Sequence, residues 1–165
     1  MDDPHLRMCI IPGTVYRPCL PNSSIDLGIC TFVVHWLSEP VYLEKHLCYI
    51  PGKTEREAEF KYTSAQDWMD FVMARSNEMK KGSVFLVNAL YGDPDVYSIL
   101  SDEFCKLHED KIISQEEVYN TNISSNAFRT EAEFRAPFDD CIELGVQLLH
   151  ISKRPVKFFE NTMFR

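Results

Sequence analysis

The residues able to do chemistry are few and scattered. Six cysteines stand at positions 9, 19, 30, 48, 105 and 141, and a nucleophilic thiol needs a depressed pKa and a base within reach. Cys105 precedes Lys106 and stands three residues before His108, a helical spacing at which ring and sulfur can touch. That pairing is common by composition, and a structural thiol is expected. His46 and Cys48 would share one face of a strand, and Cys30 precedes His35, but neither pair has the doubled spacing of a zinc site. Asp93, Asp95 and the run His108-Glu109-Asp110-Lys111 supply the acids and lysine of metal-dependent nucleases. Such ligands project from strand ends into one cleft, whereas Asp93 reads as a helix cap and the run ends that helix roughly 20 Å away. The six glycines, at 13, 28, 52, 82, 92 and 145, are isolated, so no glycine-rich loop feeds a helix in a nucleotide-binding pattern. No catalytic site, metal or cofactor is expected. The chain reads as a binding or assembly protein, not an enzyme.

With 25 acidic against 17 basic residues, the net charge of −8 disfavours phosphate-rich partners, since affinity for nucleic acid rests on concentrated Lys and Arg. No direct, sequence-specific nucleic-acid contact is expected. The start, Met1-Asp2-Asp3-Pro4, is acidic where a secretory leader is basic and then apolar, so the cysteines are expected reduced in an intracellular compartment. The sequons at Asn22 and Asn122 are then chance matches. No apolar run approaches the eighteen or so residues of a membrane span.

The elements that would carry these residues form an expected α+β domain, a mixed or antiparallel sheet packed against two main helices. Residues 1–24 hold Pro4, Pro12, Pro18 and Pro21 and read as an extended proline-rich segment with a short strand at 8–11, ahead of a single core domain over 25–165. Residues 25–37 alternate as a long strand, turn at Ser38-Glu39-Pro40, and return as a strand over 41–50 in an antiparallel hairpin. Residues 54–62 are charged and read as a loop. Ser64 caps a helix with Asp67 at the capping-box position, and Gly82 after Lys80 and Lys81 stops it. A buried strand over 83–91 follows. Asp93 and Pro94 open a second helix, with Val96, Ile99, Leu100, Phe104 and Leu107 as its apolar stripe. Ser114 and Glu117 form another capping-box pair, and 120–126 reads as a mobile loop. Phe128, Thr130, Ala132 and Phe134 alternate with Arg129, Glu131, Glu133 and Arg135 as a charged edge strand. Strands over 141–151 and 155–159 complete the sheet. Ile25-Asp26-Leu27-Gly28-Ile29 and Ile142-Glu143-Leu144-Gly145-Val146 look alike, a chance similarity of two amphipathic stretches.

Glu133-Phe134-Arg135-Ala136-Pro137-Phe138, followed by Ile142-Glu143-Leu144, resembles the Phe-Arg-x-Pro-Phe stretch of rhabdovirus matrix proteins, and the compact length resembles a plant-infecting member. The order of elements over residues 27–152 is similar too. That resemblance implies a viral structural protein that self-associates, condenses the ribonucleoprotein and links it to the envelope during assembly and budding. Its implied partners are further copies of itself, the viral nucleoprotein and an anionic membrane surface, in the virion and the host cytoplasm or nucleus. Exposed apolar plugs for self-association are expected at Val15, Tyr16, Leu20, Pro21, Tyr119 and Ile123. Membrane or nucleoprotein contact falls to Lys80, Lys81, Lys153, Arg154, Lys157, Phe158 and Phe159. Tyr97 and Leu100 resemble a tyrosine-based budding signal, although Leu100 also belongs to the helix stripe. The basic amino-terminal arm of many matrix proteins is missing. The competing readings are a protein-binding adaptor or viral suppressor of host defence, and an enzyme with a metal at His108, Glu109 and Asp110.

Overall fold

Two parallel strands with a helix crossing between them organise the chain. The computed structural model describes residues 9–92, 95–123, 125–140 and 145–154, and their elements run β1 (Ile25–Thr31), α1 (Glu57–Glu78), β2 (Met79–Asn88), α2 (Asp95–Glu109), α3 (Gln115–Thr121) and α4 (Glu131–Asp140). β1 pairs with β2 in register from Leu27 opposite Val84 to Thr31 opposite Asn88. Parallel neighbours require a long crossover, and α1 with the loops before it provides that connection. The domain is therefore α+β in content, but its sheet is parallel rather than antiparallel. The expected hairpin partner of β1 does not form.

α1 explains why the sequence placed it differently. Its buried positions include Phe60, Ser64, Asp67, Trp68, Phe71, Val72, Ala74 and Glu78, which follow the helical repeat, but three of them are polar. Those three hide the periodicity that apolar residues alone would show. Ser64 lies inside the helix and does not cap it. The first turn instead follows Arg56, which adopts a left-handed φ of 60° and whose carbonyl accepts from the Glu59 and Phe60 N–H groups at 3.0 and 3.1 Å. The Arg56 guanidinium holds the Glu59 carboxylate at 2.7 and 2.8 Å. At the other end Gly82 is no helix stop. The helix passes directly into β2 at Met79, and Gly82 sits within that strand at φ 81°.

The buried polar groups of α1 tether loops. Asp67 accepts from the Ser38 N–H at 2.7 Å and from its hydroxyl at 2.6 Å. Glu78 accepts from the Cys19 and Leu20 N–H groups at 2.5 and 3.0 Å and from Arg75 Nη2 at 2.9 Å. Desolvation alone would raise the Glu78 pKa, but these donors together hold it below the ordinary value. The proline-rich lead-in is thereby fixed to the body. Val15 and Tyr16 pack on the core of Cys30, Val34, Trp68, Phe71 and Val72.

Residues 41–50 form no strand. They run as an irregular loop whose Val41, Leu43 and Tyr49 pack with Leu37, Phe60 and Ala127 in a second core cluster. Glu55 organises the loop. Its carboxylate accepts from the Glu44 and Lys45 N–H groups at 2.5 and 2.9 Å and meets His46 Nδ1 at 2.5 Å. Burial would raise its pKa, yet these hydrogen bonds and its own backbone N–H outweigh it and hold the group at about 2.

The expected edge strand over 128–135 is also overturned. Thr130 and Glu133 make the reciprocal bonds of a capping box, Glu133 N–H to Thr130 Oγ1 at 3.3 Å and Thr130 N–H to Glu133 Oε2 at 2.7 Å, and α4 begins there. Phe134 and Phe138, one helical turn apart, pack against the Trp68 core. The stretch that carried the matrix-protein resemblance is thus a helix, with Pro137 inside it, and not the lead-in to a strand. Residues 145–151 are irregular. Residues 1–8 and 155–159, with 141–144, lie outside the described residues, as do Lys157, Phe158, Phe159, Asp93 and Pro94. Nor do residues 9–11 or the stretch after Thr31 form the expected strands.

α2 and the Ser114–Glu117 capping box of α3 stand as expected, but the stripe on α2 is not core. Ile99, Leu100 and Leu107 are exposed, while Ser101 is buried and its hydroxyl accepts from the Leu47 N–H at 3.1 Å. The expected mobile loop over 120–126 begins inside α3 and ends on a buried Asn126. Among the described residues no helix is long and apolar enough to cross a membrane.

The tightest contact in the sheet is at Gly28, where an added methyl would run into the Phe85 ring. Gly28→Ala is expected to cost about 1–3 kcal/mol of stability through overpacking, read from urea unfolding. An unchanged midpoint would show that Phe85 swings aside freely.

Candidate functional site

In open α/β sheets ligands bind beyond the carboxyl ends of the strands, and here both strand ends deliver their following segments to one place. β1 ends abruptly because Phe32 takes a left-handed φ of 55°, uncommon for a bulky residue, while its N–H still bonds the Asn88 carbonyl at 2.7 Å. The chain then turns through Val33 to Trp36, whose N–H bonds the Val33 carbonyl at 3.0 Å. β2 ends at Asn88 and leads to Tyr91 and Gly92. Residues 126–129 lace these two exits together. Trp36 bridges Asn126, Ala127 N–H donates to the His35 carbonyl at 2.9 Å, Tyr91 bridges Arg129, and Gly92 N–H donates to the Arg129 carbonyl at 3.2 Å.

The side chains at this junction are aromatic. His35 and Trp36 ring centroids lie 5.2 Å apart, His35 stacks on Phe128 at 6.0 Å, and Tyr97 meets Phe128 at 5.3 Å. His35 and Asn126 are buried, yet among the described residues His35 Nδ1 and Asn126 Oδ1 have no hydrogen-bond partner. Buried polar atoms are nearly always paired, so two such atoms flanking one backbone bridge set this junction apart. Trp36 and Tyr91 remain partly exposed beside them. Burial, and then the nearby Arg129 charge, push the His35 pKa below 6.5. The imidazole is therefore neutral at neutral pH, able to donate from one nitrogen and accept at the other.

Arg129 holds the junction in place. It is almost fully buried, and its Nε and Nη2 donate to the Ser64 carbonyl at 3.1 and 2.7 Å while Nη1 donates to the Val34 carbonyl. Its guanidinium lies 5.8 Å over the Trp68 ring. Tyr16 closes the cluster by donating its hydroxyl to the Trp36 carbonyl. Burial pushes the Tyr16 phenol up to about 12 despite the Arg129 charge, which lowers it.

The residues singled out from the sequence do not gather here, apart from Tyr16 and Tyr97. Leu20 is half-buried beneath Glu78, and Pro21 is exposed with its carbonyl accepting from the Ser24 hydroxyl at 2.7 Å. Tyr119 stacks on Tyr42 at 4.8 Å, and Ile123 N–H donates to the Leu47 carbonyl at 2.5 Å. Lys80 pairs with Asp26 at 2.7 Å, Lys81 and Arg154 are exposed, and Lys153 pairs with Glu131 at 3.0 Å and lies 4.6 Å over the Tyr91 ring. Leu100 is exposed on α2. Cys105 donates to the Lys45 carbonyl at 3.2 Å, and burial followed by surrounding carboxylates raises its pKa, the opposite of an activated thiol. Among the described residues no three His, Cys, Asp or Glu side chains could hold a metal. The His35–Trp36 pair was noted only through the spacing of Cys30 and His35. Asn126, Phe128 and Arg129 carried no signal, because their role depends on a backbone pairing made ninety residues away from β1.

Comparison with known proteins gives this geometry a context. No family model matches the chain. It is 32% identical over 98 residues to indole-3-acetate O-methyltransferase 1 of Oryza sativa subsp. japonica, an alignment covering 51% of this chain and 24% of that protein. It superposes on a solved structure of loganic acid methyltransferase with SAH at a TM-score of 0.65 and 19% identity, covering 78% of this chain and 42% of that one. The fold is methyltransferase-like. The chain spans about a quarter of the curated relative and less than half of the solved one. These findings overturn the rhabdovirus matrix resemblance, together with the viral assembly role, its adaptor alternative and the expectation of a non-enzyme, since both similar proteins are methyltransferases.

Two expectations follow from the junction. Arg129→Leu removes the donors from the buried Val34 carbonyl and from the Ser64 carbonyl, which keeps only its helical bond, and the loss is expected to cost about 1–3 kcal/mol, with Arg129→Lys only partly restoring stability because one ammonium lacks the guanidinium fork. Chemical denaturation checks both. Separately, the depressed His35 pKa means that the unfolded chain binds the proton more readily, so stability that is full above pH 6.5 is lost as pH falls below it. The unfolding midpoint is expected to drop more steeply between about pH 7 and about pH 5 in the unmodified protein than in His35→Phe; parallel curves would show that His35 is not the titrating group.

Proposed function

We propose that this chain provides the acceptor-binding part of an O-methyltransferase acting on the carboxyl group of a small, largely apolar organic acid. The observation that carries this reading is the aromatic junction of His35, Trp36 and Phe128, with its two unpaired polar atoms, at the carboxyl ends of parallel strands in a methyltransferase-like fold. Both similar proteins bear names of organic acids, indole-3-acetate and loganic acid. Such an acceptor needs an apolar surface for its body and a donor for its carboxylate. Trp36 and Tyr91 offer the first, and the neutral His35 ring can offer the second.

The methyl donor implied by this fold, with S-adenosylhomocysteine as its product, is not matched by the described residues. Adenosyl groups are held by a glycine-rich strand-to-helix loop. Here Gly92 is the one glycine between β2 and α2, its N–H is already bonded to the Arg129 carbonyl, and a Cβ added there would meet nothing within 4 Å among the described residues. Among the described residues the positions that end the strands, Thr31-Phe32 and Asn88-Ala89, carry no carboxylate for a ribose. This chain therefore contributes acceptor recognition: it orients the acid on the aromatic junction, and the neutral imidazole holds a carboxylate oxygen by a hydrogen bond while the other oxygen remains free.

The test is methyl-ester formation by the protein isolated from cells that produce it, supplied with methyl-labelled S-adenosylmethionine and indole-3-acetate or related arylacetic and alkylacetic acids. Base-labile label in the acid is expected, reduced at least about tenfold in Trp36→Ala, a loss of roughly 1.4 kcal/mol in transition-state binding. Indole-3-acetamide, which lacks the carboxylate, should accept no base-labile label. Absence of labelled ester with every acid would refute the reading.

A further inference from the structure

Tyr91 presents an exposed ring on a fixed backbone. Its peptide bridges Arg129, and the N–H of the next residue, Gly92, bonds the Arg129 carbonyl at 3.2 Å, yet 43% of Tyr91 is exposed. A side chain so placed keeps much of its rotamer freedom, and a ring that must be ordered on binding weakens the complex it joins. Lys153 counters this. Residues 145–154 run without regular structure and bring its Nζ to 4.6 Å from the Tyr91 ring centroid. The ammonium is itself held, for it pairs with Glu131 Oε2 at 3.0 Å while Arg135 Nε donates to the other oxygen of that carboxylate at 2.9 Å. Glu131 opens α4, two residues after the buried Arg129. Arg135, Glu131, Lys153 and Tyr91 thus form one line of contacts from a helix to the ring. An exposed ion pair by itself contributes little to stability. This one differs because its cation has a second partner, and that partner stands at the aromatic junction.

We propose that Lys153 is a positioning residue for acceptor binding: anchored on Glu131, its ammonium fixes the Tyr91 ring in the orientation against which the apolar body of the acid packs. The proposal rests on the acceptor-binding reading for the ligand and on the contacts alone for the order of the ring. Lys153 is not the counter-charge of the acid. Its ammonium already shares the Glu131 carboxylate, which an incoming carboxylate would have to displace, and the neutral His35 ring supplies a donor without that cost. The consequence is specific. Lys153 acts on the body of the acceptor through Tyr91, so its contribution is the same for an acid and for a neutral analogue of equal shape.

Calorimetry on the protein isolated from cells that produce it tests this, with indole-3-acetate and the neutral indole-3-acetamide as probes. Lys153→Met keeps the stem and removes the charge, and it is expected to weaken both probes about threefold, the size of one exposed cation–π contact. Lys153→Arg should restore both, since a guanidinium can stack on the ring and still pair with Glu131. In a Tyr91→Ala background the loss from Lys153→Met should vanish, because the two residues act as one unit. Unchanged affinities in Lys153→Met would overturn the proposal. A loss confined to indole-3-acetate would do the same, by making the ammonium a partner of the carboxylate, as would an equal loss in the Tyr91→Ala background. The free protein separates this from the acceptor reading. With ring-labelled tyrosine, Lys153→Met should shift the Tyr91 resonances, assigned through Tyr91→Phe, whether or not an acid binds. If neither probe binds the unmodified protein while that shift is present, the acceptor reading is removed and the ordering of Tyr91 by Lys153 stands. An unmoved Tyr91 signal would overturn the ordering itself.

Discussion

The buried guanidinium of Arg129 is the constraint around which this structure closes. A desolvated cation is costly unless its donors are satisfied, and here they are met by backbone carbonyls instead of a carboxylate pressed against it. The Val34 carbonyl comes from the exit of β1 and the Ser64 carbonyl from the middle of α1. One side chain thereby fixes the spacing between the strand end, the crossover helix and the segment over 126–129. The planar fork suits this work, since it reaches two acceptors in fixed directions where an ammonium would act as a point charge. Desolvation lowers the Arg129 pKa, with Tyr16, Asp67 and Glu133 opposing it, and the group remains a cation.

The aromatic junction inherits its order from that fixture. Because Arg129 is held, Asn126 and Phe128 are held, and they bring Trp36, His35 and Tyr97 to one place. The unpaired atoms of His35 and Asn126 are then a property of the scaffold and not of local sequence. Natural proteins keep such unmatched polar atoms where function compensates for them. The position at the carboxyl ends of parallel strands has a simple basis: loops diverge there, leaving a crevice that side chains from distant segments can line.

The sheet shows the complementary principle. A parallel pair joined by a helix buries one face by construction, and the same topology leaves the other face uncovered by the described residues. The exposed aliphatics on that face, and the exposed Ile99 and Leu100 on α2, are apolar surface that the described residues do not cover.

Local chemistry was legible wherever a few neighbouring residues decide the outcome. The Ser114–Glu117 capping box, α2 and the strand character of Ile25–Thr31 and of residues 83–88 follow from spacing and capping within a turn or two. The same rule, applied to Thr130 and Glu133, points to α4, but the alternation of Phe128 to Arg135 masked it as a strand. What only the tertiary structure decided is everything set by distant pairing. Strand direction was one such choice, because alternation reads the same in a hairpin and a parallel ladder. The burial of Arg129 was another, because a charge beside Phe128 looks exposed until the Val34 and Ser64 carbonyls meet it. The polar interior of α1 at Ser64, Asp67 and Glu78 was the third. Their partners at Ser38, Cys19 and Leu20 lie many residues away, and burial of a polar group becomes favourable only when such partners arrive.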